Sequence, residues 1–344
     1  MENLSTRTVE DSADFLAEIV GEESRAGERM QAGPILKLMY NTAYAVAWRH
    51  AGHRPVLLGI DRMDLTQVIC HMDLVRLEGR LVEVGRSSMV IEIRVLYRRP
   101  MEVEFNTAHV GFITMVAVDD DRTPVRDIPR LSHDSPQGPE VKALAAHRRA
   151  QLLERRQAID WIGQSKALRV EDVVEPEQCT RQAYLRPEET LVQVKAQIVS
   201  PGVRDGRVRA GDVMLWLDRV ATYTARQFTR SNHVVTVSLN DVLFTRPLHD
   251  TDHIEMRARV IHVRTHTLEV SIDMTVHPLE GAPYDLESVD FSILNYHSSG
   301  LKQKIATGLL LDNDDTENLR RYLRARTRHA FWKQNPESHL TQIA

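Results

Sequence analysis

Between residues 55 and 118 apolar positions alternate with polar ones in four runs, PVLLGIDRMDLTQVI, LVRLEGRLVEVG, SMVIEIRVLYR and EVEFNTAHVGFITMVAV. Alternation rich in valine and isoleucine predicts strands buried on one face. The pattern returns as HVVTVSLNDVLFTRP, HIEMRARVIHVR, TLEVSIDMTVH and LESVDFSILNYH. Ahead of each series the periodicity changes to that of a helix, over roughly 33–49 and 211–227. Both helical stretches are apolar on most sides and carry small residues, Ala43, Ala45 and Ala47 in the first, Ala221 and Ala225 in the second. A candidate strand precedes each helix, DFLAEIV (14–20) and LVQVKAQIV (191–199). Short gaps between strands favour hairpins and an antiparallel sheet. The predicted unit is a curved sheet wrapped around one helix.

The unit occurs twice. RMQAGPILKLMYNTAYAVA (29–47) lies on RVRAGDVMLWLDRVATYTA (207–225) without a gap at an offset of 178, so that Arg29, Ala32, Gly33, Ala43 and Ala47 meet Arg207, Ala210, Gly211, Ala221 and Ala225. Between the halves SHDSPQGPE (132–140) reads as a loop leading into a charged helix, 141–163, and DNDDTENLRRYLRARTRHAFW (312–332) reads as a terminal helix with acids first and bases last. The expected division is an N-terminal domain over 1–134, a helical linker over 135–185, a C-terminal domain over 186–311 and a helical tail over 312–344.

Composition narrows the function. The chain of 344 residues is 42% hydrophobic, enough for two cores, with a formal charge of only −4 from interspersed acids and bases. That balance argues against a nucleic-acid partner. The arginines of 147–164 sit among leucines at helical spacing and read as a solvated helix face. No run is long and apolar enough to span a bilayer, and no signal core opens the chain, so a cytoplasmic protein without membrane insertion is expected. Cys70 and Cys179 are expected as reduced thiols.

With AG before each helix, LMY or WLD within it, and the stretches VVTVSLNDVLFTRP and GRSSMVIEI following, the chain resembles the tandem hotdog acyl-CoA thioesterases. The resemblance covers nearly the whole sequence. It implies an α+β fold of two hotdog domains, each an antiparallel sheet around a long central helix, paired as an intramolecular pseudo-dimer. It also implies hydrolysis of acyl-CoA without a cofactor, and assembly into homo-oligomers such as a trimer. Asp218 takes the place of the catalytic acid, as base or nucleophile. Backbone N–H groups near Gly33 take the place of oxyanion donors, where glycine lets a ligand approach the chain. Members commonly carry an asparagine just before paired glycines; GERMQAG has none, and Gln31 offers the comparable amide beside Arg29. A catalytically degenerate acyl-CoA-binding protein is therefore the alternative reading. Position 40, which answers to Asp218, is Tyr40, so the second composite site, Tyr40 with Gly211, is expected to be inactive or structural.

Arg86, Ser87 and Ser88, in a turn that the resemblance places near the nucleotide end of coenzyme A, are candidates for its phosphates, with a plain polar turn as the other reading. Arg54 and Arg62 are weaker candidates of the same kind. HDTDH (249–253) has metal-ligand residue types but falls where a solvated turn is expected, and no metal site is assigned. His50, His53, Cys70 and His71 read as loop or satisfied surface residues. No GxSxG, CxxC or GxxxxGK[ST] is present.

Overall fold

The computed structural model describes residues 5–21, 29–65, 67–165, 168–175, 181–201 and 206–334. Cys179 lies outside them. The chain divides into two compact units, one made of Met1–Arg149, Val199–Leu215 and Asn240–Leu248, the other of Ala150–Ile198, Trp216–Leu239 and His249–Ala344.

In the first unit the principal elements are β1 (Asp14–Ile19), α1 (Ala32–Ala51), β2 (Arg54–Ile60), β3 (Leu74–Val84), β4 (Ser88–Arg98) and β5 (Asn106–Val118). The sheet order is β2-β5-β4-β3-β1, antiparallel throughout, with the short strand Val242–Leu243 added beside β2. Helix α1 packs against all five strands. A helix enclosed in this way must bury most of its circumference, and Ile35, Leu36, Met39, Ala43, Val46 and Ala47 are all buried. Where the strands come nearest, the sheet gives way as well as the helix: a Cβ on Gly79 of β3 would stand 2.8 Å from Val46 Cγ2 and 3.1 Å from Thr42 Cγ2. The helix ends at Gly52, whose left-handed φ of 69° lets its N–H reach the Trp48 carbonyl.

After α2 (Gly138–Gln164) the second series follows: β6 (Val192–Gln197), α3 (Ala210–Thr229), β7 (Val234–Leu239), β8 (His253–Val263), β9 (Thr267–His277), β10 (Tyr284–Asn295) and α4 (Thr316–Gln334). Its strands run in the order β6-β8-β9-β10-β7, again antiparallel. The two central helices are each slightly longer than the periodicity predicts.

The repeat extends well beyond the helices. At the same offset of 178, the one-turn helix Val9–Ser12 answers to the 3-10 turn Pro187–Thr190, and α2 begins at Gly138 as α4 begins at Thr316. The parallel pair Thr6–Arg7 with Arg130–Leu131 answers to the parallel pair formed by Ala183–Leu185 and Thr307–Leu309. From the first sheet strand after each helix up to the fourth, the offset grows by one. The bulges at Leu57/Gly59 and Leu81/Glu83 accordingly return at Thr236/Ser238 and Val260/His262. Each copy also places an additional helix on its sheet through ion pairs: Arg80–Glu140 and Arg149–Glu83 for α2, Arg321–Asp273 and Arg328–Glu269 for α4. Among the described residues no helix is long and apolar enough to cross a membrane.

Candidate active site

Asp218 lies two turns inside α3, on a helix whose neighbouring positions Met214, Leu217 and Ala221 are completely buried, and it is itself 0% exposed. Leaving a carboxylate in such surroundings without partners costs several kcal/mol. Its Oδ1 accepts a hydrogen bond of 2.6 Å from Thr236 Oγ1, a buried hydroxyl on β7 next to the bulge. Thr236 faces inward with Val234 by the strand's alternation, and its short contact orients the carboxylate. Thr222 Oγ1 bonds the Asp218 carbonyl, not the acid. Thr236 escapes sequence reasoning, since threonine is ordinary in a strand; the signal is its repeat counterpart, Leu57.

In the first copy both members of this pair change together. Tyr40 stands where the second copy has Asp218, and Leu57 where it has Thr236. Burial, reinforced by Tyr44 and Asp212, pushes the Tyr40 hydroxyl above the ordinary phenol range, so it is a donor and not a base at neutral pH. Tyr40 packs on the start of α3, where a Cβ on Gly211 would come within 2.9 Å of Tyr40 Cδ1. Glycine is required there by contact with the protein's own ring. That helix start is braced by Asp212, which accepts from Ser200 Oγ at 2.6 Å and pairs with Lys37 Nζ at 2.8 Å.

At the start of α1, Gln31 is the N-cap residue and its side chain makes no capping hydrogen bond. Gly33 is buried in the first turn, followed by Pro34, which has no N–H. Arg29 is held by a bridge to Cys70, and Met30 N–H bonds the Ile69 carbonyl at 2.8 Å. This approach is repeated in the second copy, where Val208 N–H bonds Leu248 O.

Arg86 and Ser87 form the turn between β3 and β4, while Ser88 already belongs to β4 and its carbonyl accepts from Gly85 N–H. Arg86 opens onto a cleft of about 570 Å³ whose lining includes Arg126, Arg130, Lys142 and Arg149. Ser87 and Ser88 are not brought into that cleft. Arg62 departs from its expectation: its guanidinium is committed to Asp64 and Asn240, at 2.8 and 2.9 Å, which makes it a strut. His50 is likewise structural, held between Ser12 Oγ and the Pro129 carbonyl, both at 2.8 Å. In HDTDH, Asp252 accepts from His249 N–H at 2.8 Å and so closes a turn, as Asp73 does with Cys70 N–H.

A sequence profile of the thioesterase superfamily matches residues 32–103 and again 206–278, the two copies of the helix with its following strands. An uncharacterised acyl-CoA thioester hydrolase of Zymomonas mobilis is 37% identical over 101 residues, which span 29% of this chain and 68% of that protein. The chain belongs to the thioesterase superfamily. An uncharacterised acyl-CoA thioester hydrolase of Bacillus subtilis is 31% identical over 99 residues, spanning 29% of this chain and 57% of the relative. Among solved structures, an acyl-CoA hydrolase from Bacillus cereus is 24% identical and covers 46% of this thioesterase-superfamily chain and 98% of its own, with a TM-score of 0.42. Two family matches in one polypeptide agree with the duplicated fold.

Proposed function

We propose that this chain hydrolyses acyl-CoA thioesters to the free acid and coenzyme A, with Asp218 as the base or nucleophile. The observation that carries the reading is the buried, Thr236-oriented carboxylate of Asp218 in an otherwise apolar part of α3. A thioester carbonyl needs an attacking oxygen and donors for the charge that develops on its own oxygen. Asp218 either takes a proton from water as the water attacks, the tetrahedral intermediate then expelling the coenzyme A thiolate to leave the free acid, or attacks directly, expelling the thiolate and leaving an acyl-aspartyl anhydride that water then hydrolyses to the free acid and the Asp218 carboxylate. Family resemblance assigns the oxyanion donors to backbone N–H groups at the start of α1 near Gly33. Gln31, whose amide makes no capping bond, is the candidate to hold the water or the carbonyl in place of the family's asparagine. The basic cleft at Arg86 supports the assignment of that turn to the phosphates of coenzyme A. Cytoplasmic location and assembly into a homo-oligomer, a trimer by resemblance, belong to the same proposal.

Steady-state hydrolysis of acyl-CoA across chain lengths, with binding measured in parallel, tests it. Asp218→Asn is expected to lower kcat by roughly 10²-fold or more with KM little changed, the usual magnitude for loss of a positioned base. Equal turnover by the asparagine variant overturns the assignment of Asp218. Binding without turnover in the wild-type chain leaves the acyl-CoA-binding alternative.

A further inference from the structure

The first unit is not made from the first copy alone: it takes in Val199–Leu215 and Asn240–Leu248 from the second. Inside this unit, chain from the two copies meets through charge. Lys37 Nζ of α1 pairs with Asp212, at the start of α3, at 2.8 Å. Arg62, which follows β2, places its main-chain N–H on Asp241 Oδ1 at 2.8 Å and its guanidinium on Asn240 Oδ1 at 2.9 Å. The next two residues, Val242 and Leu243, lie antiparallel on β2, with Val242 opposite Ile60. In both contacts the cation comes from the first copy and the acid from the second. Asp212 is 6% exposed and Asn240 4%, so water is a poor substitute for either partner.

Repeat equivalence shows what these contacts exclude. From β2 onward the offset is 179, so Arg62 answers to Asp241 and Asp61 to Asn240. Arg62 thus touches its own counterpart, as a residue does on the axis of a twofold pair. Were two first copies from separate chains to pair in the same manner, Arg62 would face Arg62. The acid brought to the place of Asn240 would be Asp61, which is already committed to Arg148 at 2.5 and 2.9 Å. Two second copies would set Asp241 against Asp241. On the helices the offset is 178, so Lys37 would meet Pro34 in the first case, and Asp212 would meet Leu215, without its cation, in the second. We infer that these charges act as an address: the cationic face of the first copy selects the acidic face of a second copy and rejects a like copy from another chain. The selection comes as much from the repulsion of like halves as from the attraction of unlike ones.

The test changes the address without touching Asp218 or Thr236. Two full-length chains are made in a Cys70→Ser, Cys179→Ser background, one acidic on both faces (Lys37→Asp with Arg62→Asp) and one basic on both (Asp212→Lys with Asp241→Lys). The acidic chain also carries Ile60→Cys and the basic chain Val242→Cys, since directly opposed residues of antiparallel strands lie within disulfide reach. Each half then finds its complement only in the other chain. Refolded together under oxidising conditions, the two are expected to form an interchain disulfide, seen on a non-reducing denaturing gel, at least tenfold above that of the same cysteine chains with wild-type charges. Subunits associated through other faces separate on such a gel and do not contribute. No excess over the wild-type charges overturns the inference. A second readout needs no exchange between chains. A chain with all four charge substitutions sets unlike charges face to face again with their signs reversed. Its urea midpoint is expected to lie above that of the basic chain although it carries two more substitutions; the lost Ser200–Asp212 hydrogen bond is common to both. An equal or lower midpoint overturns the inference. Neither readout involves turnover, so this inference and the hydrolase reading fail separately.

Discussion

The Thr236 hydroxyl donates to Asp218 at 2.6 Å, a short contact that helps to orient a buried acid. Thr236→Val keeps the shape and removes the donor. The expected result is a fall in kcat of about tenfold or more with KM little moved, smaller than that for Asp218→Asn, and recovered in Thr236→Ser; equal kcat in Thr236→Val and wild type would mean that the hydroxyl does not position the acid. Tyr40→Phe removes a hydroxyl that has no acid to support and should leave kcat within about twofold. Asp218 stands out in the sequence as a carboxylate in an apolar helix, while the role proposed for it comes from the family resemblance. The Thr236 contact is not legible in the same way, since it depends on which helix position, 18 residues earlier in the chain, the buried face of its strand meets. Arg62 shows the opposite failure: an arginine near a strand end looks available until Asp64 and Asn240 are found holding it.

At the scale of elements, helix α1 depends on its sheet approaching within van der Waals contact. Gly79 provides the closest point, with Val46, Ile93 and Thr42 side-chain atoms 2.8 to 3.1 Å from where a Cβ would stand. Gly79→Ala is therefore expected to destabilise the chain by about 1–3 kcal/mol through overpacking, read as a lower urea midpoint with an unchanged slope. The corresponding strand position in the second copy is Ala258, paired with Val192 as Gly79 is with Asp14. Ala258→Gly should cost less, roughly 1 kcal/mol or below, from the backbone freedom glycine brings. Strands and central helices were readable because their periodicities differ sharply. The one-turn segments Val9–Ser12 and Pro187–Thr190 were not, since four residues carry no period, and only hydrogen bonds such as that from Val260 N–H to Thr190 Oγ1 reveal what they do.

For the whole molecule, histidine burial contributes the first part of the response to acid, ahead of paired carboxylates such as Asp273 and Glu269, whose pKa values are lowered. His109 is kept neutral by desolvation, its pKa pushed down to about 4, and His50 and His262 are also lowered by burial. An unfolded histidine titrates near 6.5. Between pH 6.5 and 4 the unfolded chain therefore takes up a proton that the folded chain refuses, so stability is full above that window and falls as pH falls through it. His109 alone should account for about 3 kcal/mol across the window, and His109→Leu should flatten the acid limb when urea unfolding is followed against pH. An unchanged limb in that variant would assign the loss to other groups.

The 178-residue repeat has a consequence for how the sequence is able to vary. When two identical chains share a fold, one gene writes both copies, and any change to a catalytic carboxylate strikes every site at once. A tandem chain writes each copy from its own codons. A difference such as Tyr40 and Leu57 in one copy against Asp218 and Thr236 in the other can then be inherited by one half alone, so the two halves are free to answer to different demands.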